Sequence, residues 1–286
     1  MKVLIIGANG FLGSSLFRHY QNKKANILSF SYRPKTHEVS IANIESLIKH
    51  HQFDLIINAS ASQNGQDDLS ALKELIYSNI LFPSSLASII KFNSPATCLI
   101  NFGTSWQTGE TGDPEPFNAY ASSKSGIEPF FDHFALDGLR IATLRLYDTY
   151  GPNDKRKKII NLIADALVSE SALQMTEGNQ AINFVHIYDV INAIELTYKE
   201  LKSSIKGCHL LYSIKSKDTV TVLQLLELMK NNLELDDISF IKLGVIPYRK
   251  RERFLLRDKL QKPKNWETNL NLKEGISIIL ERHKKS

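Results

Sequence analysis

Five apolar, β-rich runs recur along the first half of the chain, and helical stretches separate them. The runs are KVLIIG from position 2, NILSFS from 26, FDLIINAS from 53, TCLINFG from 97 and RIATLRLY from 140. Short apolar runs of this kind are typical of buried strands. The stretches between them include FLGSSLFRHYQ, IANIESLIKHH and LSALKELIYSNILFPSSLASIIKF. This alternation predicts an α/β fold, a doubly wound parallel sheet with helices on both faces.

The alternation of predicted strands and helices ends after YGP at 150–152. From there the pattern predicts helices at about 157–170, 187–202, 221–232 and 270–282, with only short strand candidates. We expect a dinucleotide-binding Rossmann domain over 1–152, to which 184–212 returns, and a smaller, mostly helical C-terminal substrate domain formed by 153–183 and 213–286. Ligands of open α/β sheets bind beyond the carboxyl ends of the strands. The site should therefore lie between those strand ends and the C-terminal domain.

Composition narrows the class of protein. Of 286 residues, 43% are hydrophobic and 23% are charged, which is ordinary for a globular protein. Cys98 and Cys208 have neither metal-site nor disulfide spacing, so we expect no metal and a reducing compartment. The apolar run in MKVLIIGANG is too short for a signal peptide or a membrane span. We therefore expect a cytoplasmic protein that does not bind a membrane.

The net charge of +5 comes from basic clusters: KRKK at 155–158, YRKRER at 248–253 and the tail ERHKKS. Such clusters are often solvated surface. The alternative is that they bind a phosphate-bearing small molecule. No nucleic-acid-binding module accompanies them, so nucleic acid is not an expected partner.

The segment GANGFLG follows the first strand and opens a helix, with glycines at Gly7, Gly10 and Gly13. Backbone amides there can approach a pyrophosphate at the positive end of the helix, which predicts a dinucleotide site rather than a plain tight turn. The second strand ends in SFSYRP, where an acidic residue would normally accept hydrogen bonds from the adenosine ribose. Ser31 stands there and Arg33 follows, which favours NADP over NAD unless Arg33 is only a surface arginine.

A tyrosine four residues before a lysine forms a neighbouring pair on any helix. The spacing occurs at Tyr20 with Lys24, Tyr120 with Lys124 and Tyr198 with Lys202. Only Tyr120 follows the carboxyl end of a predicted strand, NFGTSW, and so shares a crevice with Thr104. Lys124, together with the positive nicotinamide ring, should lower the pKa of Tyr120 so that its hydroxyl transfers a proton near neutral pH. Thr104 would hydrogen-bond the reacting oxygen.

These motifs together resemble the extended short-chain dehydrogenase/reductase family of nucleotide-sugar epimerases, dehydratases and reductases. The matching pieces are GANGFLG (7–13), NASA (58–61) after the fourth strand, Asn79 in the long fourth helix, FGTS (102–105) after the fifth strand, YASSK (120–124), RLYDTYGP (145–152), NFVHIYDV (183–190) and PKNWETNLNLKEGI (263–276). A tyrosine closely follows the NFGTSW segment, and the chain is short. Within the family it is therefore most similar to reductases of CDP-linked 4-keto-6-deoxy (or 3,6-dideoxy) sugars, the abequose and paratose synthases.

The resemblance implies roles for particular residues. Tyr120 would be the acid/base, Lys124 would orient the nicotinamide ribose, and Thr104 would support the reacting oxygen. With Ser31 and Arg33 from the argument above, the expected cofactor-binding residues are Gly7, Gly10, Phe11, Leu12, Ser31, Arg33, Ala59, Ser60, Ala61, Asn79, Phe102, Tyr120, Lys124 and Tyr147. The expected substrate-binding residues are Thr104, Ser105, Asp148 and Arg251. The implied partners are NADP, with NAD as the alternative, and a nucleotide sugar, and the resemblance leaves room for a homodimer.

The chain also departs from the family pattern. Asp148 stands where asparagine is common, and Ile182 and Asn183 replace an arginine and an aspartate. The missing positive charge could come from the arginines at 249, 251 and 253, or these could be solvated.

Dehydratases follow the threonine with an aspartate and a glutamate, but here Ser105 and Trp106 follow Thr104. We therefore expect reduction rather than dehydration. The alternatives are an NAD-dependent epimerase and a non-catalytic NADP-binding regulator. The regulator would not need Tyr120 as a proton donor.

Overall fold

A computed structural model describes residues 1–205 and 207–284. Its strands are β1 (Lys2–Ile6), β2 (Asn26–Phe30), β3 (Leu55–Asn58), β4 (Cys98–Thr104), β5 (Arg140–Leu146), β6 (Asp148–Tyr150), β7 (Leu173–Gln174), β8 (Ala181–His186), β9 (Cys208–Ile214), β10 (Thr219–Thr221) and β11 (Ile241–Lys242). Its α-helices are α1 (Phe11–Asn22), α2 (His37–His50), α3 (Leu69–Ile76), α4 (Phe82–Asn93), α5 (Ala119–Gly126), α6 (Glu128–Leu136), α7 (Ile159–Ser169), α8 (Ile187–Ser203), α9 (Val222–Asn232) and α10 (Leu272–His283).

Six strands form one parallel sheet in the order β2-β1-β3-β4-β5-β9. The predicted fold class, a doubly wound parallel sheet, is confirmed. Two of the predicted strand numbers are wrong: NASA follows the third strand and FGTS ends the fourth. The reason is that residues 31–54, all described, hold only a short 3-10 turn (Pro34–Thr36) and α2, so the chain passes from β2 to β3 without another strand.

The sheet is buried on both faces because side chains alternate along each strand. On β1, Val3 and Ile5 pack in a cluster with α1 and α8, whereas Leu4 and Ile6 pack with α2, α4 and α6. All four are fully buried. Each such side chain contributes about 1.5–3 kcal/mol to folding, which explains why the apolar runs predict these strands.

The stretch Leu69–Asn93 is long and apolar enough to cross a membrane by length and composition alone. Half of an apolar 18-residue part of it is buried inside the protein, and Phe82, Leu86 and Ile90 pack against the sheet. It is therefore a core helix of this fold. A π-helical segment, Tyr77–Leu81, joins α3 to α4 and carries Asn79.

The C-terminal part has its own apolar cluster, built by α7, α9, α10 and β8. Two small sheets, β10-β8-β6 and β11-β7, accompany it. The four helices predicted after residue 152 are present. In addition, α8 packs on the large sheet and β9 forms its edge. The domain boundaries given above stay a prediction, and Lys285 and Ser286 of the predicted basic tail lie outside the described residues.

Candidate active site

A crevice with a cavity volume of about 640 Å³ opens at the carboxyl ends of β1, β3, β4 and β5. It brings together most of the residues predicted from the sequence: Gly10, Phe11, Leu12, Ala59, Ser60, Ala61, Phe102, Thr104, Ser105, Tyr120, Lys124, Tyr147 and Asp148. Parallel strands end at the same edge of a sheet, so motifs far apart in sequence meet there.

The glycine-rich loop leaves room for an anionic group at the start of α1. Gly7 has φ 83°, and a side chain on it would lie 2.8 Å from the Ser60 nitrogen. A side chain on Gly13 would lie 2.1 Å from the Gly7 carbonyl oxygen, so only glycine allows this close approach. The first turn of α1 has no side-chain cap and no acidic residue. Its free N–H groups and positive helix end fit the diphosphate of a dinucleotide.

Tyr120 and Lys124 both face the crevice from α5. The helix begins after Asn118, whose side-chain oxygen accepts a hydrogen bond of 2.9 Å from the Ala121 N–H. Lys124 is only 4% exposed, and burial lowers its pKa to about 8.

The predicted lowering of the Tyr120 pKa by Lys124 is not found. Burial raises the pKa of Tyr120 to about 12, and the positive charge that opposes this rise belongs to Arg156. Desolvation of a phenol disfavours its anion, and here this effect outweighs the nearby positive charge.

Thr104 ends β4, and a buried polar network fixes it there. Its N–H donates to Gln107 Oε1 at 2.8 Å, and Gln107 Nε2 donates to Glu128 Oε1 at 2.8 Å. Glu128 also forms an ion pair of 2.7 Å with Arg145. Sequence reasoning missed this support. The threonine with a glutamine three residues later is a capping-box pattern and was the available signal.

A second cavity of about 350 Å³ adjoins the first and extends towards the C-terminal part. The two share the lining residues Ser105, Trp106, Tyr147, Asp148 and Lys158. Its cations are Lys157, Lys158, Arg249 and Arg253. The Arg249 guanidinium lies 5.6 Å from the ring centre of Trp106 and 5.9 Å from that of Phe117. Lys158 pairs with Asp148 at 3.3 Å, which offsets the carboxylate that would otherwise repel a diphosphate.

Arg251, predicted to bind substrate, lines neither cavity. It is exposed and donates to the Pro116 carbonyl at 3.3 Å. The backbone turns here, with the Glu252 N–H bonded to the Arg249 carbonyl, so Arg251 does not share the second cavity with Arg249 and Arg253. Arg253 instead donates to the Ser105 and Thr108 carbonyls, both at 2.9 Å, and holds the turn after Thr104.

Comparison with known proteins identifies the family. The model of the NAD dependent epimerase/dehydratase family matches residues 3–211. The chain belongs to this family. The resemblance inferred from the motifs is thus confirmed, and the protein is an NAD(P)-dependent enzyme of the extended short-chain dehydrogenase/reductase type.

Among curated relatives, the CDP-abequose synthase of Yersinia pseudotuberculosis is 29% identical over 210 residues, covering 68% of this chain and 72% of the relative. The CDP-abequose synthase of Salmonella typhimurium is 24% identical over 297 residues, covering 98% and 97%. Among solved structures, MoeE5 in complex with UDP-glucose and NAD matches with a TM-score of 0.83 at 19% identity, covering 100% of both chains. The UDP-glucose 4-epimerase of Thermotoga maritima matches with a TM-score of 0.82 at 19% identity, covering 100% of this chain and 99% of the other. At these identities, the structures show a shared fold.

Four residues predicted to bind the cofactor of this epimerase/dehydratase family member do not line the crevice: Gly7, Ser31, Arg33 and Asn79. Gly7 lies in the glycine-rich loop directly after β1. Asn79 is buried behind the crevice, donating to the Ser62 carbonyl at 3.0 Å and to Ser123 Oγ at 2.9 Å. It therefore braces the loop after β3 against α5. Ser31 and Arg33 are exposed beyond the end of β2, where Asn9 of the glycine-rich loop donates to Ser31 Oγ at 3.4 Å.

The family departures at 182 and 183 have different consequences. Ile182 lines the second cavity and contributes no charge there. Asn183 is fully buried and donates to the Ser216 and Asp218 carbonyls, so it holds the loop before β10.

The basic cluster at 155–158 lies at the site. Lys155, Arg156 and Lys158 line the first cavity, and Lys157 and Lys158 line the second. This position favours the small-molecule interpretation of the cluster over plain solvated surface. Tyr20 and Tyr198, the tyrosines of the other two pairs, are buried in the α1 and α8 layer and line neither cavity.

Proposed function

We propose that the protein is an NADPH-dependent reductase of a nucleotide-linked 4-keto-6-deoxy (or dideoxy) sugar, in the biosynthesis of a surface-polysaccharide sugar. The observation that carries the proposal is that Thr104, Tyr120 and Lys124 share one crevice while Ser105 and Trp106 follow the threonine. The likeness to two CDP-abequose synthases supports this choice of substrate class.

Reduction of a carbonyl needs a hydride and a proton. A bound nicotinamide dinucleotide supplies the hydride. Tyr120 donates its hydroxyl proton to the carbonyl oxygen, which Thr104 orients by a hydrogen bond, so that the carbonyl becomes a hydroxyl. Burial raises the pKa of Tyr120 to about 12, so the phenol carries the proton that this step needs at neutral pH. An epimerase would use the same residue, first as a base and then as an acid.

The site lacks the acid and the base that dehydration requires. Elimination of water needs one group that protonates the leaving hydroxyl and another that removes a proton from carbon. A serine hydroxyl is too weak for either task at neutral pH, and an indole N–H only donates a hydrogen bond. The centre of the Trp106 ring instead lies 4.9 Å from the centre of the Phe117 ring, and Trp106 forms a wall of the second cavity.

The second cavity is the proposed site of the nucleotide diphosphate. Arg249, Arg253, Lys157 and Lys158 line it, and arginine pairs with phosphate through two parallel hydrogen bonds. Its aromatic wall supplies an apolar surface for the base of the nucleotide. Arg251 has no role in this proposal because it points elsewhere.

The preference for NADP rests on Ser31 and Arg33. Both are exposed near the glycine-rich loop, where no carboxylate repels a 2′-phosphate and Arg33 can bind one.

The main alternative is an NAD-dependent epimerase, which is compatible with the fold shared with the Thermotoga maritima UDP-glucose 4-epimerase. A non-catalytic regulator would not need the Tyr120 proton. The cytoplasmic location and the homodimer also stay predictions.

The test is to mix the enzyme with stoichiometric NADPH and a CDP-linked 4-keto-6-deoxy sugar. We expect loss of nicotinamide absorbance and a product heavier by two hydrogens. Unchanged mass with altered stereochemistry would favour the epimerase. Loss of water, or no reaction with CDP-, UDP- or dTDP-linked keto sugars, would contradict the proposal.

A further inference from the structure

Arg156 bridges the two walls of the crevice. It lies in the segment after β6, yet its guanidinium carbon is 4.5 Å from the ring centre of Phe11, the first residue of α1. A guanidinium over an aromatic face is attracted by the ring electrons. This contact places a cation beside the helix end where the glycine-rich loop leaves room for a diphosphate.

A buried carboxylate holds Arg156 in this position. Arg156 Nε donates to Asp154 Oδ1 at 2.7 Å and Nη2 donates to Asp154 Oδ2 at 2.8 Å. The Asp154 side chain is fully buried, and Nη2 also donates to the Thr149 carbonyl at 2.7 Å. The Asp154 carbonyl in turn accepts hydrogen bonds from Asn161 and Arg282. Arg156 is therefore oriented before any ligand binds.

The Nε and Nη2 groups of the guanidinium are already used, whereas Nη1 is not. Nε and Nη2 donate to Asp154 and Thr149, and Nη1 has no hydrogen-bond partner among residues 1–205 and 207–284. The Arg156 side chain is 30% exposed and lines the same cavity as Gly10 and Phe11. An arginine held by a carboxylate through Nε and Nη2 keeps the two N–H bonds of Nη1 available to an anion.

We propose that Arg156 is a phosphate-binding residue of the dinucleotide site, which donates from Nη1 to the diphosphate on the side opposite the glycine-rich loop. This inference rests on the proposed function, because it requires a nicotinamide dinucleotide in the crevice. Lys155 and Lys158 line the same wall and add positive charge. Asp148 on that wall is already paired with Lys158.

A purely structural ion pair is the competing explanation, and ligand fragments separate the two. We would measure by calorimetry the affinity of the full-length protein for NADP⁺ and for adenosine 2′-monophosphate, which lacks both phosphates of the diphosphate. For Arg156→Gln we expect NADP⁺ to bind about tenfold to a hundredfold more weakly, since a charge-assisted hydrogen bond is lost. Affinity for the monophosphate should stay within about twofold, which a disturbed fold would not allow.

Two further variants keep the test interpretable. Arg156→Gln leaves the Asp154 carboxylate buried without its partner, so Asp154→Asn is combined with it to restore a neutral hydrogen-bonded pair. Arg251→Gln removes an exposed arginine outside both cavities and should bind NADP⁺ as the wild type does.

The outcomes are distinct. Selective loss of NADP⁺ affinity in the folded double variant supports the role of Arg156. Wild-type NADP⁺ affinity in that variant overturns it while leaving the proposed function intact. If the unmodified protein binds neither NADP⁺ nor NAD⁺, both proposals fail together.

Discussion

Lys124 should make the stability of this protein depend on pH in an unusual way. It is 4% exposed, and the described residues offer its ammonium no hydrogen bond or ion pair. Burial therefore lowers its pKa from 10.5 to about 8. Between these two values the unfolded chain binds a proton that the folded protein does not, so this residue makes the fold more stable as pH rises. Below pH 8 both states are protonated and the full cost of the buried charge is present.

The size of the effect follows from the two pKa values. Each pKa step corresponds to about 1.4 kcal/mol, so the change from 10.5 to about 8 corresponds to about 3 kcal/mol. Lys124→Met keeps the unbranched shape and most of the length of the side chain and removes the charge. We expect it to raise the free energy of unfolding at pH 7 by up to about 3 kcal/mol while abolishing turnover. Its advantage should shrink by about 2 kcal/mol between pH 8 and about 9.5.

Urea unfolding of both proteins at several pH values measures this difference, and other titrations cancel because both proteins share them. Lys202→Met is the matched control, since Lys202 follows Tyr198 at the same spacing but is exposed. Its stability should run parallel to the wild type across the pH range. A Lys124→Met protein that is less stable at pH 7, or whose difference from the wild type is constant from pH 7 to 9.5, would refute the argument.

Two other substitutions test the site. Tyr120→Phe should leave dinucleotide affinity unchanged and lower turnover by a factor on the order of 10² or more, because it removes only the proton donor. Tyr198→Phe, the same change outside the crevice, should keep full turnover in steady-state assays; equal losses in both variants would contradict the assignment. Arg33→Ala should reduce the ratio of NADPH to NADH affinity by about tenfold in fluorescence titrations. A wild type that prefers NADH would overturn the role of Arg33 and favour the epimerase.

The sequence predicts β1, β3, β4 and β5 well because these strands are largely buried and appear as continuous apolar runs. β2 is only partly buried at the edge of the sheet, but its run was also predicted. β9 was not among the five predicted runs. Its segment CHLLYSI is partly buried at the edge of the sheet and mixes polar with apolar residues, so its pattern is weak. The strand numbers predicted for NASA and FGTS were wrong because residues 31–54 contain no strand.

Site residues within local motifs were predictable, since a short motif carries its own geometry. Contacts between distant segments were not. Nothing in the spacing of Phe11 and Arg156 indicates that they stack. The choice between Arg251 and its neighbours depends on a backbone turn that composition does not reveal. The raised Tyr120 pKa depends on how deeply the folded protein buries the phenol, which the tyrosine-lysine spacing does not show.

The hydrogen bonds from Arg253 to the turn after Thr104 have a consequence for biosynthesis of the protein. The carbonyl of Ser105 receives its hydrogen bond from a residue 148 positions later in the chain. Ribosomes add about 5–20 residues per second, so this partner emerges on the order of ten seconds after the turn. Closing so long a loop is slow compared with local helix formation. Thr104 therefore acquires this support only after residue 253 has been synthesised, and a shorter nascent chain lacks the hydrogen bonds that hold the turn.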